Sequence, residues 1–247
     1  MLKYKSQSRD WKSVMDCVKS YYLYEERYDW LKDPRRFEKV YHRLRRRLYI
    51  RKLKKFLTDR LVLDAGCGTG LITIHLSSTT VALDINPWNL EKLRKRLKHA
   101  SIVQADLEYL PFRDKCFSLI TCTEVLEHLT SPETVVKEFN RVLEDGGALV
   151  GTVPSINPIW RFRKFFLTTC PVNEPFHRNY TVNQLKKILD IFPQTKIKHF
   201  MLGLNLLFEA RKTSSMFDVS DQSRSQSGQR HDVKHPVEKV FSNVLDG

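Results

Sequence analysis

The chain has 247 residues, of which 41% are hydrophobic and 28% charged, and its net charge is +14. That length suits one domain with additions, and the hydrophobic share is enough for a sizeable core, which excludes a disordered polyelectrolyte. Five cysteines (Cys17, Cys67, Cys116, Cys122, Cys170) are odd in number and show no Cys-x-x-Cys pairing, which argues for a reducing compartment and against a disulfide framework or a structural zinc site.

The N-terminus, Met1-Leu-Lys-Tyr-Lys, has no apolar stretch of signal-peptide type. No apolar run approaches the roughly 18 residues of a membrane span. A soluble, cytoplasmic protein is expected, with contact at the membrane surface as an option. Residues 1–60 hold 19 Lys and Arg against 8 Asp and Glu, so +11 of the net charge lies there and the rest of the chain is close to neutral. We expect residues 1–59 to form a basic helical extension. An apolar stripe of Phe37, Val40, Tyr41, Leu44, Leu48, Leu53, Phe56 and Leu57 marks its buried face. Arg43, Arg45, Arg46, Arg47, Arg51, Lys52, Lys54 and Lys55 fill the others. Such a helix can lie on a sheet or over a cofactor with its basic face in water. It can also meet anionic lipid or RNA phosphates.

Residues 61–70, Leu-Val-Leu-Asp-Ala-Gly-Cys-Gly-Thr-Gly, are the most informative stretch. Leu61–Leu63 read as a strand buried on both faces. Gly66, Gly68 and Gly70 make a turn whose backbone can approach a ligand closely. Leu71, Ile72, Ile74 and Leu76 are spaced to open a helix. The spacing Gly-x-Gly-x-Gly is not the Gly-x-Gly-x-x-Gly of a dinucleotide fold. Asp64 at the strand end would repel a pyrophosphate and could hold a cationic ligand, directly or through water.

Val81-Ala-Leu-Asp84 is a second apolar run ending in an acid, placed where a carboxylate can accept both ribose hydroxyls. Asn86-Pro87 reads as a helix cap and first turn, with Leu90, Leu93 and Leu97 on the buried face. Ile102–Asp106 is a third such run. Phe117–Cys122 is a fourth strand, and Gly146-Gly147 precede a fifth, Ala148–Val153. The ordered set of three strand-end acids and three glycines resembles the class I S-adenosylmethionine-dependent methyltransferases over about 60–211.

That resemblance implies an α/β fold: a Rossmann-like, doubly wound, mostly parallel seven-stranded sheet with a C-terminal antiparallel hairpin strand. It implies S-adenosylmethionine as cofactor. The implied binding residues are Asp64, Gly66, Cys67, Gly68 and Gly70, Asp84 and Ile85, Asp106 and Leu107 at the adenine, and Thr123 at the end of the fourth strand.

Glu124, Glu127 and His128 stand at i, i+3 and i+4, which on a helical turn would place them on one face. Two carboxylates and an imidazole so placed could bind a divalent ion or supply a general base. His177 lies downstream, just before Thr181, a helix cap with Gln184 at the capping-box position. Glu-x-x-Glu-His with a later His is similar to the ubiquinone-biosynthesis O-methyltransferases and the wider methyltransferase type 11 group. It is also similar to the small-RNA 2′-O-methyltransferases, whose matching side chains hold Mg²⁺. The resemblance therefore makes Glu124, Glu127, His128 and His177 candidate metal ligands and candidate catalytic residues. In many small-molecule methyltransferases the same turn has no metal shown, and there the histidine only lines the acceptor pocket or caps a helix.

Residues 154–180 form an insertion that would cover the acceptor. Ile156, Ile159, Trp160, Phe162, Phe165, Phe166 and Leu167 alternate there with Arg161, Arg163 and Lys164. They suit a lid, and 154–167 also suits a membrane interface. From 212 to 247 the composition turns polar, as in a disordered tail. Three functions follow as expectations. The first is methyl transfer to an oxygen of a small molecule, quinone-like or lipid-linked. The second is RNA 2′-O-methylation using the basic extension. The third is a non-catalytic S-adenosylmethionine-binding scaffold, which the intact donor motif disfavours.

Overall fold

The computed structural model describes residues 11–24, 36–77, 79–97, 101–158 and 177–214. The middle of the predicted insertion, 159–176, and the predicted tail from 215 onward lie outside the described residues.

Seven strands form one sheet: β1 (Val62–Ala65), β2 (Thr80–Asp84), β3 (Ser101–Gln104), β4 (Phe117–Thr123), β5 (Leu143–Pro154), β6 (Gln194–Phe200) and β7 (Asn205–Arg211). Their order is β3-β2-β1-β4-β5-β7-β6. The first five are parallel, and β7 runs antiparallel between β5 and β6. This is the Rossmann-like, doubly wound sheet with a C-terminal antiparallel hairpin that the sequence predicts. From β1 the chain moves one way to β2 and β3, then returns to place β4 on the other side. The switch point lies between β1 and β4, and ligands of such sheets bind outside the strands' carboxyl ends there.

Among the described residues five helices accompany the sheet: α1 (Trp11–Tyr24), α2 (Arg36–Leu53), α3 (Pro87–Arg96), α4 (Pro132–Val142) and α5 (Val182–Ile188). Adjacent residues of each strand point to opposite faces. Leu63, Ile120, Leu149 and Phe208 pack with Phe139 of α4 and Leu185 of α5. Val62, Leu119, Val150 and Leu207 pack with Tyr49 and Leu53 of α2. Ala82 packs with Leu90 and Leu93 of α3.

The predicted caps form as bonded structures. The Asn86 side chain accepts from the amides of Trp88 and Asn89. Thr181 and Gln184 make a reciprocal capping box.

Three expectations are corrected. No α-helix follows the glycine turn, where only a 3₁₀ turn, Thr73–His75, forms. β-branched residues crowd that stretch and Thr80 already begins β2, so a helix has neither propensity nor length. The fifth strand starts at Leu143, so Gly146 and Gly147 lie inside it. The buried face of α2 differs in part from the predicted stripe. Val40 and Leu44 are 63% and 47% exposed and Tyr49, outside the stripe, is buried, whereas Leu53 of the stripe is buried as expected and Leu48, Phe56 and Leu57 pack beside it.

Candidate functional site

The donor half of the site is built from neighbours in sequence. Gly66 and Cys67 donate their amides to the carbonyl of Leu83, at 2.8 and 2.9 Å, which locks the glycine turn against β2. Gly66 has φ +70°, and a Cβ there would lie 2.5 Å from a Val125 methyl, so only glycine fits. Gly68 has φ +52°, and a Cβ there would meet nothing within 4 Å. The turn therefore curls around open space at the carboxyl edge of the sheet. Gly68 donates to Asp84 Oδ2 at 2.8 Å, and the Asn86 amide donates to Asp84 Oδ1 at 2.8 Å. Asp84 is thus fixed in direction at the rim of that space.

Asp64 is buried beneath the turn and accepts from Thr73 Oγ1 at 2.6 Å. Burial pushes its carboxyl up to about 7, the Thr73 hydrogen bond opposes this, and Asp84 adds to it. A cationic group arriving at the turn would draw that carboxyl to its ionised form. Leu107 is buried beside the turn after β3, and Asp106 accepts the Glu108 amide at 3.0 Å. Ile85 follows β2 and accepts from Gln104 Nε2 at 3.2 Å. Thr123 closes β4 opposite Thr152 of β5.

The other half gathers around the turn after β4. Glu124 has φ +54°, a conformation that costs a non-glycine residue roughly 1 kcal/mol. The predicted helical i, i+3, i+4 face is therefore corrected: Glu124 leaves the turn in its own direction, and only Leu126–His128 form a 3₁₀ turn. Four contacts hold Glu124 there. Arg45 of α2 pairs with its Oε2 at 2.6 Å, Thr152 Oγ1 donates to Oε1 at 2.8 Å, and Asn205 Nδ2 meets both oxygens at 3.1 and 3.2 Å. Tyr41 donates to Asn205 Oδ1 at 2.6 Å. Tyr49, deeper in α2, lies 2.5 Å from Thr121 Oγ1 and donates to the Val150 carbonyl at 2.9 Å. Arg45, expected among the solvated basic residues, points inward instead.

His128 Nδ1 lies 2.9 Å from the Tyr22 hydroxyl, and its Nε2 is 3.9 Å from Glu127 Oε1. His177 stacks edge-on at 5.3 Å between ring centroids. The chain is brought there by Arg178, whose amide donates to the Glu127 carbonyl at 2.9 Å, and by Tyr180, whose hydroxyl donates to the Leu126 carbonyl at 2.9 Å.

Residues 63–151 match the family described as "Methyltransferase domain". The ubiquinone/menaquinone biosynthesis C-methyltransferase of Xylella fastidiosa is 34% identical over 142 residues, covering 50% of this chain and 56% of that protein. The malonyl-[acyl-carrier protein] O-methyltransferase of Legionella pneumophila is 28% identical over 177 residues, covering 68% and 60%. The magnesium protoporphyrin IX methyltransferase structure from Synechocystis, with S-adenosylhomocysteine bound, superimposes at a TM-score of 0.57 and 16% identity, covering 81% and 100%. This chain carries a class I S-adenosylmethionine-dependent methyltransferase domain. It spans about half the length of the curated relatives it matches.

Two groups can be tested against this methyltransferase domain. The open space at Gly68, rimmed by Asp84 and floored by Asp64, fits S-adenosylmethionine, whose ammonium and ribose hydroxyls need those carboxylates. Mg²⁺ does not fit Glu124, Glu127, His128 and His177. Glu124 is turned away and neutralised by Arg45, and among the described residues no three His, Cys, Asp or Glu are grouped to hold a metal ion. The candidate site also contains residues that motif spacing did not single out: Tyr22, Tyr41, Arg45, Tyr49, Thr152 and Asn205. All come from outside the glycine-turn region. Only the burial of polar residues within α2 and β7 could have flagged some of them.

Proposed function

We propose that the protein transfers the methyl group of S-adenosylmethionine to an oxygen of a small molecule, quinone-like or lipid-linked. The observation that carries the donor assignment is the Gly68–Asp84 closure around open space. In this reading Asp64 holds the ammonium, Asp84 the ribose hydroxyls, and Asp106 with the Leu107 amide the adenine. Cys67, Gly66, Gly70, Ile85 and Thr123 shape the remaining wall. The sulfonium supplies an activated methyl, so the protein's own work is orientation at attack distance. His128 accepts the proton that the acceptor oxygen loses, through a nitrogen at the mouth of the β4 turn. Glu127 and His177 flank that imidazole. Glu124 supports the wall through Arg45 rather than acting as the base.

An acceptor with an apolar tail is supported by surface chemistry. Val40 and Leu44 share the outer face of α2 with Arg43, Arg47 and Arg51, all exposed, and exposed Lys54 follows in the next turn. The Tyr41–Asn205 bond brings the start of α2 against the turn 201–204, where Leu202 is 92% exposed. Apolar side chains among cations suit the headgroup level of an anionic bilayer. No helix among the described residues is long and apolar enough to cross a membrane. A peripheral, cytoplasmic-face enzyme is our reading, with 60–211 as the catalytic unit and 1–59 as its surface contact. Both curated relatives described above are named for methyl transfer, one to carbon and one to oxygen, on a quinone-pathway or carrier-linked compound.

The test is methyl-labelled S-adenosylmethionine incubated with the protein and a cell extract, followed by separation into organic-soluble material and RNA. Label in the organic phase that needs His128 supports the reading. Label confined to RNA, or an undiminished rate in His128→Ala, removes it.

A further inference from the structure

Helix α1 lies outside the matched domain, yet it touches the segments that follow three different strands. Lys19 Nζ is 2.8 Å from Asp106 Oδ2 and 2.7 Å from Glu108 Oε2, both after β3. The Tyr22 carbonyl accepts from Asn86 Nδ2 at 2.9 Å, after β2. The Tyr22 hydroxyl meets His128 Nδ1 at 2.9 Å, after β4. Val18, on the same turn of helix, is buried. We propose that α1 is a working part of the site: Lys19 clamps it across the cofactor crevice, and Tyr22 is a positioning residue for His128.

The inference rests on the cofactor site proposed above. β2 and β3 lie on one side of β1 and β4 on the other, so a helix bonded beyond all three crosses the mouth of the switch-point crevice. Among the described residues the fastenings given above each involve a side chain rather than a strand ladder, which suits an element that must open for cofactor exchange. Glu108 is nearly buried, so its carboxylate needs the Lys19 ammonium as a counter-charge. Asp106 meets Lys19 through one oxygen and the Glu108 amide through the other. The carboxylate assigned to the adenine is therefore the one that holds the helix down. Cofactor residence and helix closure are coupled at Asp106.

Tyr22 acts at the other end. The Tyr22 hydroxyl oxygen accepts from His128 Nδ1–H, which leaves Nε2 unprotonated to take the acceptor's proton, and the Glu127 carboxylate at 3.9 Å then faces the imidazolium. With α1 closed, the ring has one tautomer and one orientation. With α1 lifted, it has neither.

The experiment uses the full chain and S-adenosylhomocysteine as probe. Dissociation is followed by stopped-flow chase for wild type, Lys19→Met and Lys19→Arg. Lys19→Met should release the probe about tenfold faster or more, because a charge-assisted clamp is lost. Lys19→Arg should stay within about twofold, because the charge remains. Amide exchange over 11–24 should quicken in Lys19→Met, and the His128 side-chain ¹⁵N resonances should move from a single Nδ1–H tautomer to a mixture in Tyr22→Phe. Unchanged release, unchanged exchange and unchanged resonances would overturn the proposal. If wild type fails to bind the probe, the cofactor reading fails. The exchange and resonance data, which need no ligand, then still decide whether α1 is fastened as described.

Discussion

The two halves of the site are built on different scales of sequence. The donor half uses Asp64, the glycine turn, Thr73 and Asp84, all within 21 residues, tied by short-range bonds such as Gly68 to Asp84. The acceptor half joins Glu124 to Arg45 and Asn205, about 80 residues away on either side, and His128 to Tyr22, 106 residues away. A local half is rigid by its own geometry, since glycine conformation and strand register fix it. A long-range half exists only when separate helices are docked. The glycine-turn part of the donor side is therefore expected to tolerate changes elsewhere, whereas the acceptor side, and the adenine end at Asp106 that Lys19 clamps, should feel them.

Substitutions can break this contrast, and the largest effect is expected at the turn. Gly66→Val places a branched side chain into Val125 at positive φ, and should cost on the order of 4 kcal/mol in denaturant unfolding. A loss below about 1 kcal/mol would mean the turn is not the rigid element described. Asp64→Asn comes next and shows itself through pH. The Asp64 carboxyl is raised to about 7 in the folded protein, against about 3.9 unfolded. Below pH 4 both states are protonated. From 4 to 7 only the unfolded state ionises, so wild-type stability falls as pH rises, by on the order of 3–4 kcal/mol at pH 8. Asp64→Asn should lack this fall, so its stability relative to wild type should rise between pH 4 and pH 8. A parallel pair of pH profiles would contradict the burial of Asp64.

Arg45→Met should cost about 2 kcal/mol, because it strands the strained Glu124 carboxylate among Thr152 and Asn205. It should slow turnover while leaving S-adenosylhomocysteine affinity within about twofold. An equal loss of affinity would erase the distinction between the halves. Lys54→Ala, exposed in the 3₁₀ turn that follows α2, should change stability by less than about 0.5 kcal/mol and only weaken adsorption to anionic vesicles.

The same contrast explains what was legible in the sequence. Asp64, Gly66, Gly68 and Asp84 announce themselves because their contacts lie close along the chain and follow strand and turn rules. The caps at Asn86 and Thr181 are equally local. The orientation of Glu124 was not legible. An i, i+3, i+4 pattern assumes a helix, whereas the Arg45, Thr152 and Asn205 contacts hold the residue at φ +54°. Arg45 itself looks like one of many surface cations until α2 is docked with Tyr49 inward. Composition places charge on the extension, but only packing decides which face of it meets the sheet.

Donor binding is the central claim, and calorimetric titration of S-adenosylhomocysteine into wild type and Asp84→Ala tests it most directly. Saturable binding by wild type, weakened about a hundredfold by removing a carboxylate that accepts charge-assisted hydrogen bonds, is the predicted result. A folded wild-type protein that evolves no heat, or an Asp84→Ala variant that binds as tightly as wild type, contradicts it.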